Sequence, residues 1–116
     1  MSTQKNENEL YLVLQKKWFL EILKGEKKEE YRDFTEYYIK RLAVEKDGEI
    51  VDTRKYDTVR FQLGYSKNAP QIIVECKGIL IEMDNEDEKE FTTENCNFVI
   101  ILGKILEKIN CEKLFN

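Results

Sequence analysis

A chain of 116 residues fits one domain with a single core and is too short for two. Hydrophobic residues make up 41% and charged residues 36%, which describes a globular chain with a heavily solvated surface. The net charge of −4 argues against a generally basic nucleic-acid binder, and the lack of any histidine excludes Ser-His and Cys-His nucleophile pairs and the commonest zinc ligand.

The segment Met1 to Glu9 is polar and lacks the apolar core of a signal peptide. It reads as a flexible N-terminus on a cytoplasmic protein, with the domain proper over 10–110. Leu10, Leu12 and Leu14 alternate with Tyr11, Val13 and Gln15, which predicts a strand with one face in the core. Trp18, Phe19, Ile22 and Leu23 then fall at helical spacing, and Gly25 stands where a left-handed residue would end a short helix. Lys28 to Arg32 predicts a second strand. Asp33, with Glu36 three residues on, resembles a capping box opening a second helix whose buried stripe would be Phe34, Tyr37, Tyr38 and Leu42. Ala43 to Lys55 holds the turn signal Asp47-Gly48 and reads as a hairpin or a loop.

Val59, Phe61 and Leu63 alternate with Thr58, Arg60 and Gln62 to give another strand, followed by a loop from Gly64 to Pro70. Gln71 to Met83 resumes as a strand whose apolar phase shifts across Gly78, as a β-bulge or barrel corner would require. The acidic residues Glu82, Asp84, Glu86, Asp87, Glu88, Glu90 and Glu94 face only Lys89, so 82–95 reads as an exposed acidic loop. A last strand spans Phe98 to Ile109 with its own glycine at Gly103, leaving a tail over 111–116. Long strands with glycine bends suggest a sheet curling onto itself. The expected class is α+β: a small, strongly bent β-barrel with two short helices packed on it. Cys76, Cys96 and Cys111 form no C-x-x-C pair and read as reduced thiols, Cys76 within a strand. No metal, cofactor or membrane span is expected.

The charged strand is where chemistry would gather. Alternation puts Glu30 and Arg32 on one face and Tyr31 on the other, and Lys27 at the preceding turn can swing over the same face. A carboxylate beside a guanidinium can pair and leave Arg donors for a phosphate or carbonyl ligand. Spacing alone favours an ordinary solvated charged strand over a functional one.

Leu12-Val13-Leu14-Gln15-Lys16-Lys17-Trp18-Phe19, followed by Gly25-x-Lys27-x-x-Glu30-x-Arg32, resembles the opening of ASCH domains, relatives of the PUA fold, whose signature is G-x-K-x-x-E-x-R after a short helix. Tyr56 to Phe61, Gly64 to Pro70 and Val74 to Ile79 also look like a bacterial or phage branch of that family. The resemblance implies a PUA-like barrel with a cleft for RNA or a nucleotide-like ligand. Lys27, Glu30 and Arg32 would line that cleft, Lys17 and Trp18 would border it, and Tyr65, Ser66 and Lys67 would close over a ligand. Trp18 reads either as core or as a stacking platform. Two departures stand out. Gln15 occupies a place where many relatives carry lysine, and the threonine of the K-x-x-T pattern found in relatives that resemble amidohydrolases is replaced by Glu30, with Glu75 the residue to compare with their distant acid, so a threonine-based mechanism does not carry over. Three functions follow in order: a binding module for RNA or a nucleotide, a small hydrolase of the ribonuclease or amidohydrolase type using Lys27 and Glu30, and a protein adaptor using the acidic run.

Overall fold

The computed structural model describes residues 8–84 and 91–115. In chain order it runs β1 (Glu9–Leu14), α1 (Lys16–Leu23), β2 (Glu29–Asp33), α2 (Glu36–Leu42), β3 (Ala43–Lys46), β4 (Glu49–Thr53), β5 (Thr58–Leu63), β6 (Gln71–Met83) and β7 (Cys96–Ile109), and closes on a 3-10 turn over Glu112–Phe115. Five strands form one sheet in the order β1-β5-β6-β7-β2, parallel between β1 and β5 and antiparallel elsewhere. The sheet is a curled half-barrel rather than a closed barrel, because β1 and β2 end the hydrogen-bonded order and do not pair with each other.

The curl has a local cause. β6 and β7 are 13 and 14 residues long, and their register slips three times between Ile73 and Gly78. Each slip adds a residue on one side and bends the ladder. The first half of β6 pairs with β5 and its second half only with β7, whose own first half carries β2. Bending between the halves therefore swings β2 round toward β1. Two glycines make this possible. Gly78 has φ +149°, a conformation that side chains resist, and a Cβ on Gly103 would lie 2.7 Å from Glu75 Cβ. Glu75 caps the bulge by accepting the Lys104 N–H at 3.0 Å.

Inside the curl lie Phe19, Phe61, Phe98, Ile72, Ile100, Val59 and Val74, all essentially without solvent contact. Burying each stabilises the fold by about 1.5–3 kcal/mol before entropy is counted. α1 closes one end with Phe19, Ile22 and Leu23. It stops where expected: Gly25 is left-handed at φ +79°, its N–H reaches Ile22 O, and Glu26 N–H reaches Glu21 O, a Schellman ending.

Several expectations need correction. α2 is capped by Thr35, whose hydroxyl accepts the Tyr38 N–H at 3.3 Å, and not by Asp33, which is the last residue of β2. Of its expected buried stripe, Phe34 and Leu42 are buried, Tyr38 is half-buried and Tyr37 is 59% exposed. The 43–55 segment is a hairpin: Asp47 and Gly48 both have positive φ, the geometry of a two-residue type I′ turn. Of the N-terminal segment expected over 1–9, Asn8 bonds Asp57 and Glu9 opens β1, while residues 1–7 lie outside the described residues. The acidic loop's residues 85–90 also lie outside them, while Thr93 donates to Phe34 O and Phe91 packs on Phe34. At the C-terminal end, Cys111 is buried. Its three-member set of thiols is unbridged, with Cys76 only half-buried. Among the described residues no helix is long and apolar enough to cross a membrane.

Candidate functional site

The G-x-K-x-x-E-x-R segment stands at the gap between the two sheet edges. Glu30 is paired across β2 and β7 with Ile100, and Arg32 with Phe98, both wholly buried. Alternation thus turns the two charged side chains to the concave face of an edge strand, while Tyr31 points outward and is 49% exposed. Buried charge of this kind persists only when paired. Arg32 Nη2 and Nε donate to Glu30 Oε2 at 2.8 and 3.1 Å, and Lys27 Nζ lies 3.5 Å from Oε1.

The same guanidinium joins the edges of the half-barrel. Arg32 Nη2 donates to Val13 O of β1 at 3.2 Å, and Nη1 to the Tyr38 hydroxyl of α2 at 2.7 Å. A side chain thereby does across the seam what backbone ladders do elsewhere in the sheet. Among the described residues four of the five guanidinium N–H donors are engaged in this way, which leaves one for a ligand. The sequence suggested a more generous supply.

Two concavities open along the seam. One of about 360 Å³ is lined by Val13, Leu14, Gln15, Trp18, Glu30, Tyr31, Arg32, Asp33 and Tyr38. Its neighbour, about 190 Å³, shares Val13, Arg32 and Tyr38 and adds Tyr11, Leu12, Tyr37, Arg41 and Tyr65.

The expected site residues divide into three groups. Lys27, Glu30 and Arg32 are brought together as one cluster, and Trp18, 37% exposed, forms a wall beside it. Trp18 is therefore not core, whereas Phe19 next to it is fully buried. Lys17 Nζ and Lys27 Nζ lie 4.6 and 4.9 Å from the indole centroid, within cation–π range. Tyr65 reaches the smaller concavity, but Ser66 and Lys67 are exposed and line neither. Glu75 lines neither, being taken up in the bulge. Tyr38, Tyr37, Arg41, Tyr11 and Val13 were missed as site residues. Tyr37 and Arg41, four apart on one helix face, carried a signal for it, since an aromatic and a cation at that spacing stack on a surface. The Arg41 guanidinium lies 4.8 Å from the Tyr37 ring centroid.

Chemically the seam offers recognition groups. The Glu29 carboxylate accepts the Tyr31 hydroxyl hydrogen at 2.5 Å and holds that phenol above its ordinary range, so Tyr31 stays neutral. Burial pushes the Cys76 and Cys111 thiols up, away from nucleophilic thiolate. Among the described residues no three Cys, Asp or Glu side chains converge as a metal site would require. Comparisons with protein-family models, curated proteins and solved structures give no match to this chain.

Proposed function

We propose that the chain is a binding domain of the ASCH kind, a PUA-like half-barrel, and that it recognises RNA or a nucleotide-like ligand at the seam between β1 and β2. The observation that carries this reading is that the Glu30–Arg32 ion pair and the exposed Trp18 ring line one open concavity, with Lys27 behind them and outside its lining. Glu30 presents a carboxylate that its cations orient, suited to accept from the amino groups of a base. Trp18 supplies an aromatic ring, and Lys17, whose Nζ lies 4.6 Å from the indole centroid, a cation for phosphate beside the concavity. A purely basic groove would hold any polyanion; the carboxylate adds selection among bases.

Hydrolysis is the second reading, favoured by one feature, the 3.5 Å approach of Lys27 to a carboxylate that is only 8% exposed. An acid–base pair requires such an approach. Lys27 is itself held between Glu30, Trp18 and Tyr31, which suits a positioning role better than proton shuttling.

The test is calorimetric titration of nucleoside monophosphates, acylated nucleosides and short single-stranded RNA, with product followed by chromatography. Trp18→Ala and Lys17→Ala are the informative variants, because both residues are exposed and neither holds the buried cluster together. Saturable, salt-sensitive binding weakened by both variants, without product, supports recognition. Product dependent on Glu30 supports hydrolysis. Absence of binding and product with every ligand overturns both.

A further inference from the structure

The smaller concavity takes only Arg32 from the G-x-K-x-x-E-x-R signature, and the composition of its remaining lining is unusual for a surface. Tyr11, Tyr37 and Tyr65 are 42, 59 and 86% exposed and all line it. Three tyrosine rings left open around one hollow present far more aromatic area to water than isolated surface residues do, and such patches mark binding sites. The Tyr37 ring is held edge-on against Tyr38 at 5.0 Å and 87°, so its orientation is fixed. Over it lies the Arg41 guanidinium. Unlike Arg32, Arg41 makes no ion pair and no side-chain hydrogen bond among the described residues, so its donors face solvent. Lys40 follows on the same exposed stretch of α2, with Glu36 as the opposing acidic group.

We infer that Tyr11, Tyr37, Tyr65 and Arg41 form a second subsite that stacks a nucleobase and holds a phosphate, so that the ligand is a single-stranded oligonucleotide rather than a free mononucleotide. Sequence-tolerant stacking on aromatic rings beside arginine is how single strands are held. The two hollows meet at Val13, Arg32 and Tyr38, and the extended segment from Tyr11 in β1 to Gln15, the residue just after it, runs from one to the other. The four residue steps from Tyr11 to Gln15 span about 13 Å of extended chain, a length that suits a short strand better than a single nucleotide. Arg32 lines both hollows and, among the described residues, keeps one N–H donor unengaged, which a phosphate linking the two bases would take up.

This inference rests on the nucleotide-binding reading, and a length series separates the two. Uridine monophosphate and its di-, tetra- and hexanucleotides are titrated into wild type, Tyr37→Ala and Arg41→Ala. Wild-type affinity is expected to rise by about tenfold or more between mononucleotide and tetranucleotide. Both variants should keep the mononucleotide affinity and lose most of that increment. An increment that persists in both variants, or affinity independent of length in wild type, overturns the second subsite while leaving the Trp18 site standing. Failure of every length to bind wild type overturns the underlying reading and the subsite with it.

Discussion

Replacing Glu30 by alanine removes the one acceptor that two buried cations share. The Glu30, Lys27 and Arg32 side chains are 8, 14 and 15% exposed, so little water is at hand to take over. Breaking a buried pair by deleting one partner costs about 3–5 kcal/mol, because the surviving charge stays desolvated. The lower end applies, since the seam concavity lets water approach the guanidinium and Arg32 retains Val13 O and the Tyr38 hydroxyl. A chain of this length has an unfolding entropy near 0.24 kcal/mol/K, so about 3 kcal/mol lowers Tm by about 12 °C. Thermal and urea unfolding followed by circular dichroism measure it. The triple variant Lys27→Met, Glu30→Leu, Arg32→Met is the counterpart. It removes all three charges of the cluster at once and should recover most of the lost stability, as apolar replacements of buried ion networks do, while abolishing ligand binding. A Glu30→Ala protein within about 2 °C of wild type would refute the reasoning, and so would a triple variant no more stable than the single one.

The thiols make a pH prediction with a definite sign. Burial raises Cys76 and Cys111 above their unfolded values, so the stability they contribute is complete below the unfolded thiol range and is lost as pH rises from there through the raised folded values. The chain should therefore weaken above about pH 9, and the double variant Cys76→Ala, Cys111→Ala should show a flatter alkaline limb in a Tm-against-pH series. The same burial predicts slow reaction of these thiols with a disulfide reagent at neutral pH and fast reaction in denaturant. Gly103→Ala brings a Cβ to 2.7 Å from Glu75 Cβ and 3.0 Å from Lys77 Cε. Overpacking of that kind costs about 1–3 kcal/mol, readable as a lower urea midpoint; an unchanged midpoint would mean that the bulge carries no strain and can slip.

The alternation of Leu10, Leu12 and Leu14, and of Val59, Phe61 and Leu63, made the strands legible because period two has one reading when one face is buried. It also separated Glu30 and Arg32 from Tyr31 correctly. What alternation does not carry is the third dimension. Val13 and Tyr38 reach Arg32 only because the bulged β6–β7 pair swings one edge to the other, and no local pattern specifies an angle. Barrel closure failed as an expectation for the same reason. A glycine in a long strand signals bending, while whether the edges then meet depends on the summed geometry of three register slips. α2 was misread because seven residues give too few turns to define a face, and tertiary contacts bury only Leu42 within it. Its tyrosines looked like core by composition and stand instead around the seam. Asp33 looked like a cap because the spacing to Glu36 is right, but its place in β2 left the capping role to Thr35.

Trp18 is the chain's single tryptophan and forms a wall of the larger seam concavity, so its fluorescence reports on the site and nothing else. Titration of short single-stranded RNA against that signal tests the central claim most directly. The account predicts a saturable change in emission that weakens with added salt and disappears in the triple Lys27→Met, Glu30→Leu, Arg32→Met variant. An emission unchanged while binding is detected by another method would place the ligand elsewhere on the molecule and contradict the seam as the site.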